Sequence, residues 1–237
     1  MPSLSSSTRR GLLPRAALLS GLCAAAPMAA ADALSGNLSL TSDYVWRGTT
    51  QTQGDFAAQA GLKWAAQNGL YGSAWGSNVE FAPSTHASSE LDLVLGWAGA
   101  LNAHWSLDAN LTHYRYPSTT ADLDWTELGA TLAWNQSYWL QLGWSNDVMA
   151  SGAQGTYAQV GARLPLGTRL RAEAALGHYW LDQAYGANYT HGQLGLVWAI
   201  KAPLELRMTV HETDHAAERL FPGLAGSRVE AALQMSF

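Results

Sequence analysis

The sequence predicts an all-β protein: a transmembrane, antiparallel, up-and-down β-barrel of about twelve strands. Three observations carry this expectation. Apolar and polar residues alternate with period two through segment after segment, which places one set on each face of a strand. Connections between segments alternate short and long without exception. Aromatic side chains gather at segment ends instead of scattering along them. A barrel closed in a bilayer accounts for all three.

The chain opens on a different pattern. Arg9, Arg10 and Arg15 form a positive front, Ala16 to Ala26 is apolar, and Ala29-Ala30-Ala31 are small, which reads as a cleaved secretory signal over residues 1–31. The rival, an uncleaved anchor helix, fits poorly with a short, Ala-rich run broken by Pro27. Cys23, the single cysteine, follows Leu22, where a lipoprotein cysteine follows a small residue. Residues 1–31 hold three arginines and no acid, so the barrel domain 32–237 keeps ten basic and eighteen acidic side chains, a formal charge of −8. That acidity argues against nucleic acid as a partner. The lack of cysteine beyond the signal suits passage through an oxidising compartment.

The strands follow in order. Leu38, Leu40, Tyr44 and Trp46 alternate first, then Phe56, Ala58, Ala60, Leu62, Trp64 and Ala66, then Tyr71, Trp75 and Val79. Leu91, Leu93, Leu95, Trp97 and Leu101 form the fourth set, and Trp105, Leu107, Ala109 and Leu111 the fifth. Leu128 to Trp134 and Tyr138 to Trp144 flank the turn Asn135-Gln136, and Ala158 to Leu164 and Leu170 to Leu176 flank Pro165-Gly167. Leu194 to Ile200 and Leu204 to Val210 flank Lys201-Ala202, and Val229 to Phe237 close the set. Segments of about ten residues span a bilayer at a tilt.

Short turns also lie at Gln67-Gly69 and Asn102-Ala103, against long polar loops at Arg47-Gly54, Ala82-Ser89, Pro117-Asp122, Val148-Gly155, Leu181-Tyr189 and Glu212-Gly226. This is the asymmetry of short periplasmic turns and longer extracellular loops. Trp64, Tyr71, Trp105, Trp134, Tyr138, Trp198 and Phe237 mark the short-turn rim, and Trp46, Phe81, Trp144 and Trp180 the long-loop rim. The apolar faces then meet outer-membrane lipid and lipopolysaccharide of a Gram-negative cell. An unpaired strand edge in hydrocarbon is too costly, so the last strand pairs with the first. Its terminal aromatic, Phe237, is the kind of signal read by the barrel-assembly machinery.

The stretch SDYVWRGTTQTQGDFAAQAGLKW, with GLYGSAWGSNV and ELDLVLGW, resembles the TorF-like porin family of proteobacterial proteins without an assigned function. The matching residues include Ser42-Asp43-Tyr44, Arg47-Gly48, Gln51-Thr52, Gln59, Gly61, Ser77-Asn78-Val79 and Glu90-Leu91-Asp92. Thr50 and Asp55-Phe56 depart from that pattern, and beyond residue 97 the likeness rests on strand pattern and the aromatic end. The resemblance implies an outer-membrane channel and brings no substrate.

With lipid outside, the opposite parity faces the lumen. The expected pore-lining residues are Asp43, Arg47, Lys63, Glu80, Glu90, Asp92, Asp108, Asp124, Glu127, Arg163, Arg169, Arg171, Glu173, Glu205, Arg207, Arg228 and Glu230. Acids alone occupy the third to sixth strands, and arginines with glutamates the eighth to twelfth, so the two arcs face each other across a ring. Two readings follow: a transverse field that sorts polar solutes, or neutralising pairs such as Arg171 with Glu173, Glu205 with Arg207 and Arg228 with Glu230. We expect pairing in the arginine arc and an open acidic surface opposite. Arg47-Gly48 marks the point where the wall turns into the first outer loop, with glycine supplying the turn.

The motif His211-Glu212-Thr213-Asp214-His215 matches HExxH, which binds zinc on a helix. On a strand its imidazoles stand about 13 Å apart. A short helix carried by HAAERLF, with Glu218 as a third ligand, would rescue the geometry. The motif lacks its usual helix, however, and no metal or other cofactor is expected. The functional expectation is therefore a porin for passive diffusion of small hydrophilic solutes, not an enzyme. The rivals are a barrel filled by its own side chains, with a structural or surface role, and a lipid-modifying enzyme using His178 near the outer rim.

Overall fold

The computed structural model describes residues 32–237, and the signal segment proposed for 1–31 lies outside them. Strand β1 (Ala33–Thr41) is followed by a small hairpin, β2 (Val45–Trp46) and β3 (Thr49–Thr50), and then by β4 (Ala57–Ala65) and β5 (Leu70–Asn78). Next come β6 (Ser89–Ala100), β7 (Trp105–Arg115), β8 (Trp125–Trp134), β9 (Tyr138–Ser145) and β10 (Gly155–Pro165). Strands β11 (Leu170–Trp180), β12 (Tyr189–Lys201), β13 (Leu204–Thr213) and β14 (Arg228–Ser236) complete the series. Two short helices, α1 (Asp182–Tyr185) and α2 (His215–Leu220), lie in the last two long connections.

All strands except β2 and β3 form one closed antiparallel barrel, each paired with its neighbour in sequence, and β14 pairs with β1. Closure extends to the final residue: Gly36 and Phe237 exchange backbone hydrogen bonds of 2.7 and 3.0 Å. Every barrel strand among the described residues is paired on both sides, which is what a wall in hydrocarbon requires. The exterior is apolar, with Leu95 and Leu194 exposed by 69% and 67% in mid-strand. Arginine in place of Leu95 should cost about 2–4 kcal/mol in a bilayer. Chemical unfolding of the barrel in liposomes measures this directly.

The rims need correction. Trp64, Trp105, Trp134, Tyr138, Trp198 and Phe237 are exposed on the outside as expected, and so are Trp144 and Trp180 at the other end. Tyr71 and Trp75, however, point inward: Tyr71 is 1% exposed and donates to Asp108 at 2.7 Å. The outward positions of β5 are Leu70, Gly72, Ala74 and Gly76, so this strand shows its small residues to lipid and its large ones to the lumen. Trp46 belongs to the inner hairpin, and Phe81 packs on Tyr116 with ring centres 5.3 Å apart.

A buried apolar cluster sits inside the barrel at its outer end. Tyr44, Tyr114, Trp125, Tyr157, Tyr179 and Tyr189 form it, with Val148, Leu181 and Ala217 from the outer connections packed on top.

Candidate functional site

The connection 42–56 does not project outward. It turns down into the lumen as the hairpin β2–β3, with Arg47 and Gly48 at its tip. Both tip residues have positive φ, 48° and 83°, the requirement of the tight two-residue turn that suits twisted strands. At Gly48 a side chain would press on Cβ of His191 and Cγ2 of Thr213, within 2.7 and 2.8 Å, so only glycine seats this closely on β12 and β13. Arg47-Gly48 is thus the tip of a plug, not the start of an outer loop.

Arg47 clamps the plug. Its Nη1 and Nη2 donate to the Glu127 carboxylate of β8 at 2.8 and 2.6 Å. Its guanidinium carbon lies 4.4, 3.9 and 4.8 Å from the ring centres of Trp46, Tyr157 and Tyr179. The Tyr189 hydroxyl donates to the Arg47 carbonyl at 3.0 Å. Burial works against the charged guanidinium, yet the charge of Glu127 and its hydrogen bonds outweigh that, and the Arg47 pKa stands well above its ordinary value. The clamp is an ion pair inside an aromatic cage. Asp43 braces the hairpin base, accepting from the hydroxyls of Thr50 and Thr52 and facing Arg228 at 3.5 Å.

The expected acidic surface is covered. Glu127 belongs to Arg47, Glu90 accepts from the Tyr116 hydroxyl at 3.2 Å, and Asp108 accepts from Tyr71 and from Asn110 at 2.9 Å. All three carboxylates are buried, because the hairpin and its aromatic neighbours fill the space in front of Glu90 and Glu127, and Tyr71 lies against Asp108. Asp92 shares their lumen parity on β6. Burial, then the charges of Glu90 and Asp92, raise the Tyr44 and Tyr116 hydroxyls well above their ordinary pKa.

A second cluster occupies the periplasmic end. Glu173 accepts from Arg163, Arg171 and Arg207 at 3.0, 2.8 and 2.6 Å, and Arg171 holds Glu205 with two bonds of 2.7 and 2.8 Å. Pairing therefore rules the arginine arc, but two of the three anticipated pairs are different ones. Arg207 reaches Glu173, not Glu205, across β12, where the intervening inward residues are Gly195 and Val197. Glu230 accepts from Thr41 at 3.0 Å and meets His211 at 2.9 Å, while Arg228 turns to Asp43 and to the carbonyls of Gly223 and Leu224. Lys63 lies on the same level, its ammonium 3.5 Å from the Tyr71 ring centre.

Three expected lining residues fall outside the lumen wall. Glu80 is exposed in the connection 79–88, Arg169 is exposed in the turn 166–169, and Asp124 precedes β8, where it caps the Tyr116 amide at 2.8 Å and faces Arg115 at 3.7 Å. The HExxH residues separate: His211 points inward to Glu230, and His215, on α2, is 89% exposed and bonded to Glu218. His178 lies on the outer wall, bonded to Thr190 at 2.8 Å and edge-on to Trp180.

Sequence reasoning missed Tyr71, Tyr157, His191 and the plug role of Arg47. The paired apolar strands hid the first two, and the short hairpin offers too few residues for any period to show.

Comparison with known structures places the chain in the porin fold. It is similar to the KdgM porin, solved in complex with disordered oligogalacturonate, with a TM-score of 0.55 and 8% identity over 86% of this chain and 98% of that one. It is also similar to the NanC porin, at 0.53 and 13% over 86% and 99%, and to an outer membrane channel from Pseudomonas putida F1, at 0.51 and 13% over 87% and 95%. No curated protein matches the chain. A model of the bacterial family Gcw_chp, described as a protein of unknown function, matches residues 25–235, and the chain belongs to that family.

Proposed function

We propose that this chain is an outer-membrane channel for passive diffusion of small hydrophilic solutes, exported by the signal at residues 1–31. The TorF-like resemblance points the same way. One observation carries the reading: in mid-strand, charge lies on the inner parity alone, while the outer parity is an apolar band whose charged residues, such as Arg115 and Glu212, come at strand ends. We further propose that the barrel meets lipid and lipopolysaccharide, and that the closing strand ending at Phe237 is its handle for the barrel-assembly machinery.

The pore-lining set narrows on this reading. Lys63, Asp92, Arg163, Arg171, Glu173, Glu205 and Arg207 line the bore, and Arg47 with Glu127 forms its gate. Asp108 and Glu90 support the wall behind aromatic hydroxyls.

The seated hairpin favours a second reading, a barrel closed by its own residues with a structural role. Planar-bilayer recording separates them. Diffusion predicts discrete conductance steps of small amplitude, with liposome swelling limited to small solutes. A reconstituted, folded barrel that passes no current would support the filled barrel. We assign no enzymatic activity: the hydrogen-bond partner of His178 is a threonine, and its edge-on tryptophan marks a rim residue.

A further inference from the structure

We propose that the periplasmic-end cluster around Arg207 is a binding site for a small organic carboxylate. The inference rests on the channel reading and names the solute class that the bore retains.

Arg207 is 7% exposed and spends only Nη1, on Glu173 at 2.6 Å. Its Nε and Nη2 are buried and have no hydrogen-bond partner. A buried donor without an acceptor is costly, more so on a charged group, and native proteins rarely leave one. Here two lie side by side on one edge of one guanidinium. That edge presents two parallel N–H bonds, the geometry that matches the two oxygens of a carboxylate.

Neighbouring acids cannot fill it. Glu205 is held by both terminal nitrogens of Arg171, and Glu173 already serves three arginines. Glu230 is engaged by Thr41 and His211. The cluster also carries surplus cation. Arg163 commits only Nε to Glu173, its guanidinium resting 5.6 Å from the Trp139 ring centre. Lys63 has no carboxylate within ion-pair distance among the described residues. Four cations thus face the three carboxylates Asp108, Glu173 and Glu205 at this level. A solute carboxylate between Arg207 and Arg163 supplies the missing acceptor and balances the charge.

Equilibrium dialysis of the full chain in detergent at low ionic strength, with labelled succinate and labelled glycerol, tests this. Saturable uptake of succinate and none of glycerol is expected. Arg207→Lys keeps the charge and loses the two-pronged edge, so it should weaken succinate binding by about tenfold or more. Arg163→Gln should weaken it several-fold, and it leaves Glu173 two guanidinium partners should the first variant fail to fold. Absence of saturable succinate binding, or unchanged affinity in Arg163→Gln and in folded Arg207→Lys, overturns the site. Dialysis does not depend on conduction. A barrel that binds succinate yet passes no current refutes the channel and keeps the site; one that conducts without binding does the reverse.

Discussion

Replacing Arg47 by methionine should raise single-channel conductance several-fold while lowering the unfolding midpoint only slightly. The substitution removes the two hydrogen bonds to Glu127 and the cation held between Trp46, Tyr157 and Tyr179. A buried carboxylate stripped of its partner costs about 3–5 kcal/mol, and the lost cation–π contacts add about 0.5–2 kcal/mol. The protein has a cheap way to relieve that penalty. If the hairpin swings out, Glu127 meets lumen water and is no longer an orphan. The penalty therefore falls on the plugged state, not on the barrel. At about 1.4 kcal/mol per factor of ten, the ratio of plugged to open states should fall by roughly two and a half to five decades. Glu127→Gln, which leaves a neutral acceptor, should open the bore less. Unchanged conductance in both variants would mean that the hairpin does not control the path.

The barrel was legible because it follows from period and connection length, two properties local to the sequence. Each strand's parity could be read where one face was plainly apolar, as in β6 with Leu91, Leu93 and Leu95. In β5 it could not. Leu70, Ala74 and the glycines compete with Tyr71 and Trp75, and hydropathy favours the larger residues for lipid. Their inward placement is decided by partners elsewhere: Asp108 and Lys63 for Tyr71, and Tyr44 for Trp75 at 5.4 Å. The plug is non-local in the same way, since Arg47 finds Glu127 eighty positions along the chain. Charge pairing failed for a geometric reason. Residues two apart on one strand are about 6.6 Å apart, whereas neighbouring strands lie about 4.8 Å apart, so lateral partners compete well with those on the same strand. Only the register shows that Gly195 on β12 clears the way from Arg207 to Glu173.

Removing Glu173 should be the most damaging single change in the lower bore. Glu173→Ala deprives Arg207 of its only side-chain acceptor among the described residues, while Arg171 retains Glu205 and Arg163 retains partial access to water. The orphaned, buried guanidinium should cost about 3–5 kcal/mol, and Arg207, paired with Val197 on one side and Ala232 on the other, sits on a strand that holds it in place. Unlike the Arg47 variant, this one should therefore lower the unfolding midpoint strongly in detergent denaturation. Glu173→Gln keeps one carbonyl acceptor and should lose less. Adding Arg207→Met to Glu173→Ala removes the orphan and should restore a large part of the stability, because the two residues act as a unit and their effects are not additive. Conduction gives an independent sign. With Glu173 neutral, four cations face two carboxylates at the periplasmic end, so the reversal potential in a KCl gradient should shift toward anion preference. Restored stability in the double variant, together with loss of that shift, would assign both effects to the Arg207 charge. Stability that stays low in the double variant would mean instead that Glu173 is needed for packing, and that the arginines tolerate its loss.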